Sequence, residues 1–408
     1  MFPPFLWLRR LGDLSTPKLV ALTAFFGQLY FFVPVMTPYL QGKGLSLAQI
    51  AGMQTLLMVT QLVMELPTGV VADRLGHRRS YQIALVMATL GEAVTLLADT
   101  YPEFLVGQVV AGTGFAFASG SVDALVYDSL PPENRTTAMQ KAKGMIGAAM
   151  QAASLFAYGV GAWITQELTM ERMRLTLKMD VVGVGMSVVV ALFLREPVRH
   201  VLDKRHGSID LVRTGWRTLR TSAPLQRLVL ISIVTNAFVA HLLIFYQEYF
   251  LRSGVQPIWL GLGLALGSAV AFFTQLHAWR LPAMLGTRNG LIVATGAPGV
   301  LYLLMAVIDQ PALAVVLFIV QWGVVQLAIP LFAGLFNAHL DESARATSLS
   351  LISGVVTVYI GVGGVVLGWL AEWSLSGMFA ILGVVILAGT ILVRPAPEED
   401  EIEAEALR

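Results

Sequence analysis

We single out three of the carboxylic acids that occur within or at the end of long apolar stretches of the sequence. Glu65 precedes a charged loop, Glu92 lies in the middle of its stretch, and Asp123 lies near the end of another. A charged residue inside a bilayer costs about 2.5 to 3.5 kcal/mol on insertion scales, so such residues usually face a cavity or a partner. If these stretches cross a membrane, the three acids are candidates for proton coupling. A structural hydrogen bond or a place in a charge network is the alternative for each.

The side chains that carry most other chemistry are absent or badly spaced for it. The chain has no cysteine, and its six histidines show no spacing of four residues that would place two of them on one helical face. It also contains no His-Glu-x-x-His, Gly-x-Ser-x-Gly or Gly-Lys-Ser/Thr motif. We therefore expect no metal, no cofactor and no enzymatic activity.

The elements that position the acids are apolar helices. Hydrophobic residues make up 56% of the 408 residues and charged residues 13%, against about 25% in soluble domains. A membrane-spanning helix needs about 20 apolar residues, and the sequence divides into twelve such spans. The predicted spans are 17–40, 46–72, 80–99, 103–127, 142–166, 175–194, 225–251, 257–278, 290–308, 311–338, 346–371 and 374–393. A net charge of +1 argues against a nucleic-acid partner.

The distribution of basic residues predicts the orientation. If the N-terminus is cytoplasmic, 22 of the 27 Lys and Arg residues lie on the cytoplasmic side, so both termini are expected there. The first residues lack the small-residue cleavage pattern of a signal peptide. We predict two six-helix bundles, 1–194 and 225–393, joined by a basic cytoplasmic linker, 195–224. An acidic tail, 394–408, follows.

The two halves repeat one another at a constant offset of 210 residues. Tyr39 and Gly44 match Tyr249 and Gly254, and comparable pairs occur in two further loops. Those further pairs join Leu75, Gly76 and Arg78 to Leu285, Gly286 and Arg288, and Leu130, Arg135 and Thr137 to Leu340, Arg345 and Thr347. Because matched loops lie on the same side, the repeat is parallel and predicts a pseudo-two-fold axis along the membrane normal.

The loop after the second span carries the most specific motif. It reads Gly-Val-Val-Ala-Asp-Arg-Leu-Gly-His-Arg-Arg from Gly69 to Arg79. This resembles the Gly-x-x-x-Asp-Arg-x-Gly-x-Arg-Arg signature of the major facilitator superfamily, with a degenerate second copy at Arg280–Arg288. Glu65-Leu-Pro-Thr-Gly69, Asp123-Ala-Leu-Val-Tyr-Asp128 and Leu194-Arg-Glu-Pro197 resemble a subgroup of bacterial drug or metabolite exporters of the drug–proton antiporter type.

The resemblance implies a gate on the cytoplasmic side. In the family this loop latches the two halves together when the protein faces outward, which here assigns the latch to Gly69, Asp73, Arg74, Gly76, Arg78 and Arg79. Asp128 matches the position that pairs with a loop arginine, so Arg78 or Arg79 is its expected partner. Two positions depart from the pattern of proton-coupled exporters, because Gln108 replaces an arginine of the fourth span and the fifth span has no proline.

The resemblance also implies which spans line the substrate pathway. Spans 1, 4, 7 and 10, with contributions from 2, 5, 8 and 11, place polar and aromatic residues there. These are Gln28, Tyr30, Gln54, Gln61, Gln151, Tyr158, Asn236, His241, Tyr246, Gln275, Gln321, Trp322, Gln326 and Tyr359. Without a lysine or arginine at mid-membrane depth, this lining favours an amphipathic organic substrate. Hydrogen bonding between helices is the alternative for any single residue, and His241 is a pH-switch candidate or a packing residue.

We therefore expect a monomeric secondary transporter in the cytoplasmic membrane that works by alternating access. Proton-coupled export of small lipophilic or amphipathic compounds is the leading interpretation. Uptake or facilitated diffusion of a small metabolite, such as a sugar, amino acid or organic acid, is the alternative. A receptor that binds without transporting is a third possibility on the same fold.

Overall fold

The computed structural model describes residues 14–131, 135–196, 220–236, 239–338 and 345–392. Every regular element in these ranges is helical. In the same part of the chain, nine helices are both long enough and apolar enough to cross a membrane. The protein is therefore an all-α membrane protein. The predicted acidic tail and most of the predicted linker lie outside the described residues.

The chain divides into two compact units. The first contains residues 1–45 and 56–202, and the second contains 46–55 and 203–408. The helices of the first half are α1 (Thr16–Gly27), α2 (Met36–Gly42), α3 (Leu47–Leu75), α4 (His77–Leu97), α5 (Tyr101–Ala118), α6 (Ser121–Asp128), α7 (Arg135–Ile164) and α8 (Met170–Ala191).

The second half repeats this order of elements. Its helices are α9 (Ala223–Asn236), α10 (Val239–Arg252), α11 (Ile258–Leu276), α12 (Arg280–Leu285), α13 (Thr287–Val307), α14 (Pro311–Ala338), α15 (Arg345–Trp373) and α16 (Leu375–Leu392). Helices α4 and α13 begin and end 210 residues apart. Gly76 and Gly286, which precede them, have φ of 97° and 78°. Residues with a side chain rarely adopt a positive φ, which explains why glycine occurs at both positions.

The first residues of α3 belong to the second unit because they pack on α15. The Ala48 N–H donates to Glu372 Oε1 over 2.8 Å, and the Thr55 hydroxyl donates to the Gly361 carbonyl over 2.7 Å. A Cβ added at Gly368 would lie 2.6 Å from the Cα of Ala48. Close backbone approach therefore depends on that glycine.

Helix boundaries differ from the predicted spans where a helix continues into polar sequence. The fifth span was expected to begin at residue 142, but α7 begins at Arg135 and includes Lys141 and Lys143. Apolar patterning marks where a helix enters lipid, whereas backbone hydrogen bonding can extend it into water. The fourth span is divided into α5 and α6 at Gly120, which has φ of 74°.

The first predicted span, 17–40, is broken in its middle. Helix α1 ends at Gly27, a 3-10 turn covers Val33–Val35, and α2 begins at Met36. Pro34 explains the break, because in a continuous helix its ring would clash with the carbonyl of Tyr30, four residues earlier. Backbone groups between the two helices must therefore find other partners.

Candidate functional site

Two backbone N–H groups in the break are bound by a buried carboxylate of α8. The Phe31 N–H donates to Asp180 Oδ1 over 2.7 Å, and the Phe32 N–H donates to Asp180 Oδ2 over 3.3 Å. In a continuous helix these groups would donate to the carbonyls of Gly27 and Gln28. Asp180 is 1% exposed. Its carboxylate thus replaces two lost helical acceptors at a depth where water is scarce.

Three further ionisable side chains interact electrostatically with Asp180. Glu92, from the middle of α4, interacts electrostatically with it, and Tyr30 interacts with both acids and with Tyr158 of α7. Tyr158 is buried, and Glu92 and Tyr30 are partly buried. Within the described ranges, neither carboxylate forms a salt bridge. We call Tyr30, Glu92, Tyr158 and Asp180 the acidic site.

Small residues of α7 and α8 allow the broken span to pack closely. A Cβ added at Gly161 would lie 2.4 Å from the carbonyl oxygen of Phe31, and one added at Gly183 would lie 3.0 Å from the Cβ of Leu29. Leu29 and Phe31 also form an apolar cluster with Ala153 and Ala157. The acidic site is therefore supported by packing as well as by hydrogen bonds.

The second unit has aromatic packing at the place that matches Glu92. The offset of 210 residues relates Glu92 to Tyr302 in α13. Tyr302 is 1% exposed, and its ring stacks on Phe379 with 5.8 Å between ring centroids. The two units thus share a backbone plan but differ in chemistry at this depth.

The sequence analysis singled out three members of this site in separate predictions and missed the fourth. Tyr30 and Tyr158 were predicted as cavity residues and Glu92 as a proton-coupling residue. Asp180 was missed, although it lies inside the predicted span 175–194 and the cost of an intramembrane charge applies to it equally. The cost of placing a charge inside the membrane was the signal that could have identified Asp180 from the sequence.

The signature loop contains a second carboxylate interaction. Glu196 accepts hydrogen bonds from the N–H groups of His77 (3.0 Å) and Arg78 (3.1 Å) at the start of α4. A Cβ added at Gly76 would lie 2.7 Å from Glu196 Oε1, so the glycine also gives the carboxylate room. Arg78 Nη2 donates to the Leu192 carbonyl over 3.4 Å.

Asp128 is the expected partner of the loop arginines. Within the described residues, Asp128 forms no salt bridge with Arg78 or Arg79. The guanidinium of Arg135 lies over the ring of Tyr127, 4.9 Å from its centroid. The pairing of Asp128 with a loop arginine therefore stays a prediction for another conformation.

The other two predicted proton-coupling acids differ in environment. Asp123 forms an ion pair with Lys143 of α7 over 2.6 Å, with both side chains more than half exposed. Glu65 is partly buried in α3, and its backbone carbonyl accepts a hydrogen bond from the Thr68 hydroxyl over 3.3 Å. Asp123 thus belongs to an exposed ion pair with α7, and its role in proton coupling stays a prediction.

The predicted lining residues of the second unit range from buried to exposed. Tyr246 is fully buried, donates to the Leu260 carbonyl over 2.9 Å and stacks on Phe318 at 4.2 Å. Gln321 and His241 are also buried, whereas Gln275 and Tyr359 are exposed. Partly buried lining residues in either unit are Gln28, Gln54, Gln61, Gln151, Trp322 and Gln326. The side chain of Asn236 lies outside the described part of the chain.

Comparison with known proteins identifies the family. The sequence profile of the Major Facilitator Superfamily matches residues 19–327. The chain belongs to this superfamily. It is 26% identical to the inner membrane transport protein YajR of Escherichia coli K12 over 89% of this chain and 77% of that one. It is 25% identical to the class E tetracycline resistance protein of Escherichia coli over 70% of each chain.

Solved structures share the same fold at low sequence identity. The nucleoside transporter NupG aligns with a TM-score of 0.72 and 13% identity over 97% of this chain and 100% of that one. The D-xylose–proton symporter aligns with a TM-score of 0.69 and 13% identity over 94% and 99%. Facilitator-superfamily membership establishes a secondary transporter of small molecules, and at this identity the structures inform the fold alone.

Proposed function

We propose that this facilitator exports small lipophilic or amphipathic compounds across the cytoplasmic membrane in exchange for protons, with both termini in the cytoplasm. The observation that carries the proposal is the acidic site, where Glu92 and Asp180 interact within the membrane. Two negative charges in a low-dielectric interior repel strongly, and binding a proton removes that repulsion. Glu92 is the proton carrier in this scheme, because the Asp180 carboxylate already accepts hydrogen bonds from the backbone N–H groups of Phe31 and Phe32.

The electrochemical gradient of protons supplies enough free energy to drive such an exchange. One charge moved through 100 mV supplies about 2.3 kcal/mol, and each pH unit of gradient adds about 1.4 kcal/mol. Glu65 and Asp123 remain further candidates for the proton path. The latch between Asp128 and a loop arginine closes the cytoplasmic side of the outward-facing state.

The substrate class follows from the predicted lining. Glutamines and aromatic rings can stack on an organic molecule and hydrogen-bond with it, and none of the assigned lining residues is a lysine or arginine that would select an anion. Similarity to a tetracycline resistance protein supports export of an organic compound. A monomer is sufficient for this mechanism, because each chain carries both halves of the repeat.

Purified protein in liposomes that contain a pH-sensitive dye tests the proposal. An imposed pH gradient should release protons when a lipophilic dye or antibiotic is added, and Glu92→Gln should abolish the release. Thr89→Val is the matched control. Thr89 lies one turn away in α4, and among the described residues its hydroxyl bonds only to the Leu85 carbonyl of its own helix (2.8 Å). We expect the control to retain the proton signal.

The other outcomes discriminate between the hypotheses. Transport of a polar metabolite without proton flux would support facilitated diffusion and make the acidic site structural. Proton-coupled entry of a metabolite would reverse the proposed direction. Loss of proton release in Glu65→Gln or Asp123→Asn, with Glu92→Gln unaffected, would move the proton path to those acids.

A further inference from the structure

The unwound segment between α1 and the 3-10 turn donates two backbone hydrogen bonds to one side chain of another helix, Asp180 of α8. Two backbone hydrogen bonds support the segment locally. The Leu29 N–H donates to the Phe26 carbonyl (3.2 Å), and the Tyr30 N–H donates to the Gln28 carbonyl (2.9 Å). The next two N–H groups, of Phe31 and Phe32, donate to Asp180. The conformation of this segment therefore depends on a residue 149 positions away.

We propose that Asp180 is a positioning residue for transport, whose carboxylate holds the segment Gln28–Phe32 in the shape that presents Gln28 and Tyr30 to the transported compound. The proposal deepens the proposed function and rests on it for its transport measurement. Its backbone measurement is independent of substrate and of protons.

The chemistry favours a carboxylate at this position. The two N–H groups donate to different oxygens of Asp180, and an ionised carboxylate offers both oxygens as charged acceptors. Hydrogen bonds to charged groups are stronger than those between neutral groups, and a buried N–H left without an acceptor is costly. Leucine offers no acceptor, and asparagine offers one oxygen. The three side chains therefore form a graded series of similar size.

Helix α8 provides a control for general effects of substitution. Thr176 lies one turn before Asp180 and is fully buried. Within the part of the chain that the structure describes, its hydroxyl donates only to the Met173 carbonyl of its own helix, over 2.7 Å. Thr176→Val removes a buried polar group from the same helix without removing a bond to the broken span. An effect that appears in Asp180 variants and is absent from this control belongs to the contact with the segment.

Hydrogen–deuterium exchange of the full chain in detergent micelles is the first experiment. In Asp180→Leu, amides in a peptide covering residues 28–35 should exchange about tenfold faster or more, because two charge-assisted hydrogen bonds are lost. Asp180→Asn should give an intermediate rate, and Thr176→Val should match the unsubstituted protein. Unchanged exchange in Asp180→Leu would overturn the anchoring role.

Initial rates of dye efflux from liposomes separate positioning from folding. A mispositioned segment weakens substrate binding, so the apparent KM should rise severalfold in Asp180→Leu and partly recover in Asp180→Asn. A merely structural role would lower the maximal rate, through less active protein, at unchanged KM, and that result would overturn the proposal. If the unsubstituted protein moves no dye, the proposed function fails while the exchange experiment still decides the anchoring.

Discussion

Replacing Gly161 with alanine tests how closely α7 approaches the break in the first span. The added Cβ would lie 2.4 Å from the carbonyl oxygen of Phe31, about 1 Å short of ordinary van der Waals contact. The obstructing atom belongs to the backbone of Phe31, whose N–H donates to Asp180. No side-chain rotation can relieve the clash, so either α7 or the segment must shift.

The expected cost follows from two opposing terms. Alanine is better than glycine within a helix by about 1 kcal/mol, whereas overpacking a well-packed core costs about 1 to 3 kcal/mol. Gly159, two residues earlier in α7, has no atom within 4 Å of an added Cβ. Gly159→Ala therefore carries only the propensity term. The free energies of unfolding of the two variants should differ by about 1 to 3 kcal/mol, with Gly161→Ala the less stable.

Melting temperatures of the two variants in the same detergent provide the measurement. Gly161→Ala should melt below the unsubstituted protein, and Gly159→Ala should melt at or above it. Gly161→Ala should also impair transport, because the shift falls on the segment that carries Tyr30. Equal melting temperatures for the two variants would show that α7 does not approach the Phe31 carbonyl as described, and would refute the packing argument.

Two further predictions concern carboxylates outside the membrane-spanning helices. Glu196→Ala should lower the melting temperature by removing about 1 kcal/mol of helix capping at His77 and Arg78, and an unchanged melting temperature would contradict the capping role. Asp99 accepts a hydrogen bond from Lys43, and this bond, with the lysine's charge, lowers the pKa of the Asp99 carboxyl. The ion pair should therefore be present above the ordinary aspartate pKa and be lost as the pH falls through the lowered pKa of Asp99. A carbon-13 titration of the Asp99 carboxyl should show a higher pKa in Lys43→Gln than in the unsubstituted protein.

Local patterns in the sequence determined the membrane helices and the repeat. Apolar length predicts where a chain can cross lipid, and α4 and α13 fall at the predicted spans because their hydrophobic runs are continuous. Repeated glycines at 76 and 286 marked turns that need positive φ. The signature loop indicated the superfamily, and the cost of a buried charge drew attention to Glu92.

Only the tertiary structure decided which distant groups meet. Asp180 and Phe31 are 149 residues apart, and Glu196 and His77 are 119 apart. Nothing in a local pattern reports such a pairing, because any buried acceptor could satisfy the N–H groups released by Pro34. The partner of Asp123 is likewise Lys143, from a helix whose polar extension apolar patterning did not reach. Hydrophobicity determines which segments are buried, but hydrogen bonding between side chains and released backbone depends on how the helices pack.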